Sequence, residues 1–201
     1  EEKMVFHGWG GVIGELSLLG VICAQVQEKK AYRLCAPFAP MDAAEAELTL
    51  ARRYFTHYGP ASLRDAAYFF RVPQTKVKAW LKQLDAREIS VDGRMYYAIG
   101  DAPEGEMPHV RLLSGFDPML LGYRKEDNPI LPPEHLRGVF NLTGIVHPTV
   151  LADGRIVARW REKEGKVELM PFENIGVRTK KRIEREVEKW FEVKEIRWME
   201  I

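Results

Sequence analysis

The sequence predicts an α+β protein built from a partial winged helix, a complete winged helix and a β-rich C-terminal domain. Three observations predict it. Residues 1–36 read as one helix followed by a hairpin, residues 41–100 read as three helices followed by a hairpin, and residues 109–201 turn to strand-like runs. With 201 residues and 46% hydrophobic content, the chain can build more than one core.

In the first segment Val12, Leu16 and Leu19 share one helical face and Gly20 supplies the stop. Val21 to Ala24 and Ala31 to Cys35 are β-compatible runs joined by the polar stretch Gln25 to Lys30. A helix plus a two-stranded wing is the closing half of a winged helix. Only eight residues precede Trp9, too few for two earlier helices, so this unit reads as truncated.

After the linker from Pro37 to Pro40 the pattern restarts in full. Asp42 is an expected N-cap, and Ala44, Leu48, Ala51 and Phe55 run down one face to a stop at Gly59-Pro60. Ser62 with Asp65 three residues later resembles a capping box, ahead of the apolar positions Leu63, Ala66, Ala67 and Phe70. Beyond the turn Arg71-Val72-Pro73, a third helix is expected from Gln74 to Leu84. Val77, Trp80, Leu81 and Leu84 face inward there, and Gln74, Lys78 and Lys82 face outward. Strands from Arg87 to Val91 and Arg94 to Ile99 flank Asp92-Gly93, a favoured two-residue hairpin turn.

The Gly, Pro and acid-rich stretch from Gly100 to Pro108 marks a boundary. Beyond it Val110 to Leu113, Gly144 to Trp160, Lys166 to Phe172 and Val193 to Ile201 read as strands, with a tight turn at Asp153-Gly154 and a looser one at Lys163-Glu164-Gly165. A short helix starts near Pro132-Pro133. A longer one carries Ile183, Val187, Trp190 and Phe191 on its apolar face, and its glutamates 184, 186 and 188 interleave with basic residues as on a solvated surface.

Thirty basic residues against 29 acidic ones leave a formal charge of +1, so any surface for a polyanion has to be local. The helix-turn-helix and wing are where it concentrates: six basic residues oppose Asp85, Glu88 and Asp92 between Arg71 and Ile99. Gln74, Thr75, Lys76, Lys78 and Lys82 are the candidates to reach bases or phosphates from the third helix. Arg94 at the wing turn and Arg155 at the Asp153-Gly154 hairpin are the candidates outside it. The same pattern is open to a protein-interaction module in which the lysines form a solvated helix face. Cys23 and Cys35 fit neither a disulfide framework nor a metal site and read as ordinary reduced thiols. The histidines at 7, 57, 109, 135 and 147 have no nucleophile or metal-ligand spacing, so no metal or other cofactor is expected. No stretch approaches the ~18 apolar residues of a membrane span, and no secretory signal is evident, which points to the cytoplasm.

The residues themselves resemble a known family. Leu50-Ala51-Arg52-Arg53-Tyr54, Tyr58-Gly59-Pro60-Ala61, Val110-Arg111-Leu112-Leu113, Phe116-Asp117-Pro118, Leu121-Gly122-Tyr123-Arg124 and the run from Pro148 to Val157 with Trp160 are similar to the AlkZ-like (YcaQ) winged-helix DNA glycosylases. The resemblance covers nearly the whole chain. It implies tandem winged helices followed by a β-barrel-like domain, action as a monomer on duplex DNA, and release of alkylated or crosslinked bases in base-excision repair. The family's catalytic motif, Gln, an apolar residue, then Gln or Asp, lies near its N-terminus, in a segment this chain is expected to lack. Gln25-Val26-Gln27 copies its letters, but at a hairpin turn that favours polar residues anyway. Phe69-Phe70-Arg71 stands where the family usually has Trp, a small residue and Gly. Asp117, ahead of Pro118, reads as a turn cap rather than a catalytic carboxylate. The expectation is a DNA-binding portion of such a glycosylase; a winged-helix transcriptional regulator is the alternative.

Overall fold

The protein is described by a computed structural model covering Val5 and residues 11–29, 31–101 and 107–200. The expectation about the segment before Trp9 lies outside these residues, as does much of the boundary stretch after Gly100. The chain divides into two compact units, Glu1–Ala43 and Ala44–Ile201.

In the first unit α1 (Val12–Leu18) is followed by the antiparallel pair β1 (Ile22–Gln25) and β2 (Ala31–Leu34), in which Ile22 opposes Leu34 and Cys23 opposes Arg33. Gly20, at φ 70°, makes the reversal between helix and strand. The face expected to be inward is only partly covered: Leu16 is half-buried, whereas Val12 and Leu19 are exposed. A helix of seven residues on a two-stranded ribbon offers too little surface to close over both.

The second unit begins with three helices, α2 (Ala43–His57, its first residue at the division), α3 (Leu63–Phe70) and α4 (Gln74–Leu81). The expected capping box forms: Ser62 Oγ accepts from the Asp65 amide, and Asp65 Oδ2 accepts from the Ser62 amide. Arg71, left-handed at φ 53°, ends α3. α4 stops three residues short of the expected end, because its last turn tightens. The amides of Gln83 and Leu84 both donate to Trp80 O, which still delivers Leu84 to the core. Ala51, Tyr54, Phe55, Ala66, Val77, Trp80 and Leu84 form that core.

The hairpin β3 (Arg87–Val91) and β4 (Arg94–Ala98) turns at Asp92-Gly93, where both residues have positive φ. Ala61, between α2 and α3, exchanges hydrogen bonds with Tyr97 at 3.0 and 2.9 Å, so it pairs with the hairpin as a one-residue strand.

The rest of this unit is organised by a five-stranded sheet in the order β5 (Val110–Leu113), β6 (Thr149–Ala152), β7 (Arg155–Lys163), β8 (Lys166–Pro171), β9 (Glu195–Trp198). The barrel-like closure expected from the family resemblance is not found among the described residues: β5 and β9 are the edges of an open sheet. A helix does the covering instead. α7 (Val177–Trp190), which follows α5 (Pro118–Leu121) and α6 (Leu136–Val139), buries Ile183 and Val187 against Val110, Val150, Val167 and Leu169. The opposite face packs Leu151 and Ile156 on Leu120, Leu131 and Val139.

β6 is therefore covered on both sides and buried along its whole length. An irregularity opposite Val150 and Leu151 turns both Val157 and Ala158 to the α7 side. β9 runs parallel to β8, a pairing that needs a crossover, and α7 supplies it. The turn expected to be loose is tight, since only Glu164 and Gly165 separate β7 from β8.

The apolar face expected for α7 needs two corrections. Trp190 is exposed, its indole N–H donating to Glu186, and Glu186 is buried. The reason is a tertiary partner: Glu186 faces Arg111 of β5 as well as Lys189, so the carboxylate lies at the seam between helix and sheet.

Candidate nucleic-acid interface

α4 is amphipathic as expected. Val77 and Trp80 go inward, leaving Gln74, Thr75 and Lys78 exposed on α4 and Lys82 exposed just beyond its end. Lys78 and Lys82 line a shallow cavity of about 240 Å³ with Leu81, Ala86, Glu88 and Tyr97. Neither lysine has a carboxylate within ion-pair reach among the described residues.

Lys76 is placed differently. Its ammonium pairs with Glu47 of α2 and lies 5.7 Å from the centroid of the Trp80 ring, while Trp80 Nε1 donates to the other Glu47 oxygen at 3.3 Å. The Lys76 hydrogen bond holds the Glu47 carboxyl below its usual range, against the opposing pull of burial. Lys76 thus ties α4 to α2.

Arg94 lies immediately after the β3–β4 turn and is exposed. It borders two adjoining hollows. One, of about 290 Å³, is shared with Ser62, Arg64, Asp65 and Asp127. The other, of about 400 Å³, includes Arg155 and the loop from Glu126 to Pro133. Arg94 and Arg155, which the sequence assigns to different domains, therefore line the same hollow. Arg155 also donates to Glu173 at 2.8 Å.

Other candidates resolve locally. Gln25 ends β1 and Gln27 follows it, both exposed. Asp117 caps α5, accepting from the Met119 amide at 3.0 Å and the Ser114 amide at 3.2 Å. His135 is buried, bonded to Ile156 O and stacked on Phe172. Among the described residues no group of three or more His, Cys, Asp or Glu could hold a metal ion, and no helix is long and apolar enough to cross a membrane.

Sequence reasoning missed the polar seam that joins the three helices to the sheet. Tyr54 Oη donates to Gly122 O and Tyr123 Oη donates to Tyr58 O, each at 2.8 Å, and the Arg124 amide donates to Asp65 Oδ1 at 3.0 Å. Burial pushes both phenols up from their ordinary values, so they stay protonated donors. A Cβ at Gly122 would come within 2.2 Å of the Tyr58 ring, which explains the glycine. The signal was present in the sequence: the runs at 50–54, 58–61 and 121–124 that carry the family resemblance are the ones that meet here.

These features define an α+β protein in which a three-helix module with a partly basic exposed helix is bonded to a helix-covered sheet. Its family follows from comparison with known proteins: the chain belongs to the DNA glycosylase AlkZ-like family, whose model matches residues 15–193. The interstrand DNA cross-link repair glycosylase of Streptomyces sahachiroi is 27% identical over 203 aligned residues, 92% of this chain and 55% of that protein. The solved structure of Streptomyces sahachiroi DNA glycosylase AlkZ superposes with a TM-score of 0.76 at 27% identity, covering 97% of this chain and 59% of the other. The chain thus spans somewhat more than half the length of these relatives.

Proposed function

We propose that this chain is the duplex-DNA-binding portion of a DNA glycosylase acting on alkylated or crosslinked DNA in base-excision repair. On this reading residues 41–100 are a complete winged helix, residues 1–36 contribute a helix and wing of the same type, and residues 109–201 form the C-terminal domain. Support comes from the order of three helices and a hairpin, with Ala61 pairing to β4 where a winged helix has its short first strand. The relative's activity, repair of interstrand DNA crosslinks, suggests the substrate class. The protein acts as a monomer in the cytoplasm, without a membrane partner.

The observation that carries the proposal is the exposed edge of Gln74, Thr75, Lys78 and Lys82, set opposite the buried Val77 and Trp80. Docked in the major groove, such a helix brings its lysines to the phosphates while the core stays closed. Arg94 then meets the backbone beside the wing, with Arg155 across the same hollow. Lys76, engaged by Glu47, contributes through the position of α4.

The test is fluorescence anisotropy on two unrelated duplexes across a salt series, with folding verified by circular dichroism. Each phosphate contact contributes about 0.9 to the slope of log affinity against log salt. The Lys78→Ala, Lys82→Ala double variant is therefore expected to weaken both duplexes alike and to flatten the slope by nearly two units (about 1.8). Unchanged binding by the folded variant would remove α4 from the interface and favour a protein-interaction module. Loss on one duplex alone would favour a transcriptional regulator reading a defined site.

A further inference from the structure

Cys23 and Cys35 stand twelve positions apart with no motif between them, yet the β1–β2 pairing brings them together. Cys23 opposes Arg33, and Cys35 continues the pairing by donating its amide to Val21 O at 2.9 Å. Side chains on a strand alternate between faces, so Arg33 and Cys35 project from the same face as Cys23. Arg33 Nε donates to Cys23 Sγ at 3.3 Å, and Cys35, paired with Val21, stands diagonally across the hairpin from Cys23 on that face. Both cysteines are free and partly accessible.

We propose that Cys23 and Cys35 are an oxidation site: a hydroperoxide converts them to a disulfide across the hairpin, with Cys23 as the attacking sulfur, Cys35 as the resolving one and Arg33 as the positioning residue. The two thiols are unequal in the way this order requires. The Arg33 hydrogen bond lowers the pKa of Cys23 against opposing burial, with the Cys35 bond adding to the lowering. Cys35 is raised, by burial first and then by the same contact with Cys23. The thiolate is the nucleophile, so the first reaction belongs to Cys23.

The chemistry balances in two steps. Cys23 thiolate attacks the peroxide, forming an S–O bond as the O–O bond breaks; with one proton taken up, the products are a sulfenic acid and water (an alcohol, from an organic hydroperoxide). The Cys35 sulfur then displaces the hydroxyl from Cys23, forming the S–S bond and releasing a second water as its own proton leaves with it. The peroxide is reduced by two electrons and the thiol pair is oxidised by two. A dithiol reductant reverses the change by exchange.

Intact mass and thiol counting on the full chain test the proposal, since these are its two cysteines. Hydrogen peroxide should yield a monomer lighter by two hydrogens, with both thiols blocked to alkylation and both restored by dithiothreitol. In Cys35→Ser, dimedone should trap a sulfenic acid at Cys23. In Cys23→Ser, Cys35 should oxidise more slowly at neutral pH than Cys23 does in Cys35→Ser, because less of it is thiolate. Arg33→Gln should shift the pH profile of Cys23 alkylation upward while leaving the far-ultraviolet circular dichroism unchanged. Oxidation that instead crosslinks two chains, equal rates at the two thiols, or an unmoved alkylation profile in Arg33→Gln would each overturn it.

Discussion

Asp65 concentrates more structural work than any other carboxylate in the helical module. Although 97% of its surface is covered (relative exposure 3%), it bonds through both oxygens: Oδ2 accepts from the Ser62 amide and hydroxyl, and Oδ1 accepts from the Arg124 amide. Half of this was legible, because Ser62 and Asp65 stand at capping-box spacing. The bond to Arg124 was not, since no local pattern tells a capping carboxylate which distant amide will reach its free oxygen. Asp65→Ala removes the reciprocal cap, a loss of about 1 kcal/mol, and leaves the Arg124 amide without its partner, a further cost of about 1–3 kcal/mol. Urea denaturation should show a total loss of about 2–4 kcal/mol, whereas Ser62→Ala should lose only about 1 kcal/mol. An Asp65→Ala variant within about 0.5 kcal/mol of wild type would mean the bond across to Arg124 contributes nothing.

At the scale of elements, period and turn chemistry were readable and partners were not. The helices at 43–57, 63–70 and 74–81 and the hairpin turns at Asp92-Gly93 and Asp153-Gly154 stand where apolar spacing and positive-φ residues put them. α7 shows the limit. Its charged residues suggest a solvated surface, but β5 brings Arg111 to Glu186, so one glutamate of that surface is buried at a seam while Trp190, on the expected apolar face, is exposed. The interface has a definite pH response. Burial alone would raise the Glu186 pKa, but hydrogen bonds from Lys189 and Trp190, and then the charges of Lys189 and Arg111, outweigh it and hold the carboxyl below its ordinary value. A carboxyl lowered in the folded state contributes stability that is fully present above its unfolded pKa, about 4.3, and is lost as pH falls through the folded value. Glu186→Gln should therefore be less stable than wild type at neutral pH, and the two should converge in acid as the wild-type carboxyl protonates. Thermal unfolding followed from neutral pH down through the carboxylate range measures this, and a gap constant with pH would show that the loss is steric.

At the scale of the whole molecule, the two compact units have different resources for resisting opening. Between residues 11 and 43 no described residue is buried, and the β1–β2 pair is a two-stranded ribbon. Residues 44–201 contain three buried apolar clusters, and the bonds of Tyr54, Tyr123 and Asp65 join the helical cluster to the segment at 122–124, next to Leu120 in the core on the sheet face opposite α7. Stability in a folded chain is distributed according to such contacts: amides in weakly buried segments exchange through local openings, and amides behind a continuous core wait for its cooperative unfolding. Native-state hydrogen exchange in low urea should separate the two classes. The β6, β7 and β8 amides should exchange slowest, with a free energy that falls with urea at the slope of global unfolding. The Ile22–Leu34 and Cys23–Arg33 region of the β1–β2 hairpin should exchange sooner, with little urea dependence, because its opening exposes little new surface. The α2 and α4 amides decide how far the larger unit is one cooperative body. Joined through the tyrosine seam, they should merge with the sheet's urea slope in the wild type and separate from it in a Tyr54→Phe, Tyr123→Phe variant, which keeps both rings but loses both hydroxyl donors. If α2 and α4 already exchange on their own slope in the wild type, the seam does not couple the helices to the sheet, and the two parts open as independent domains.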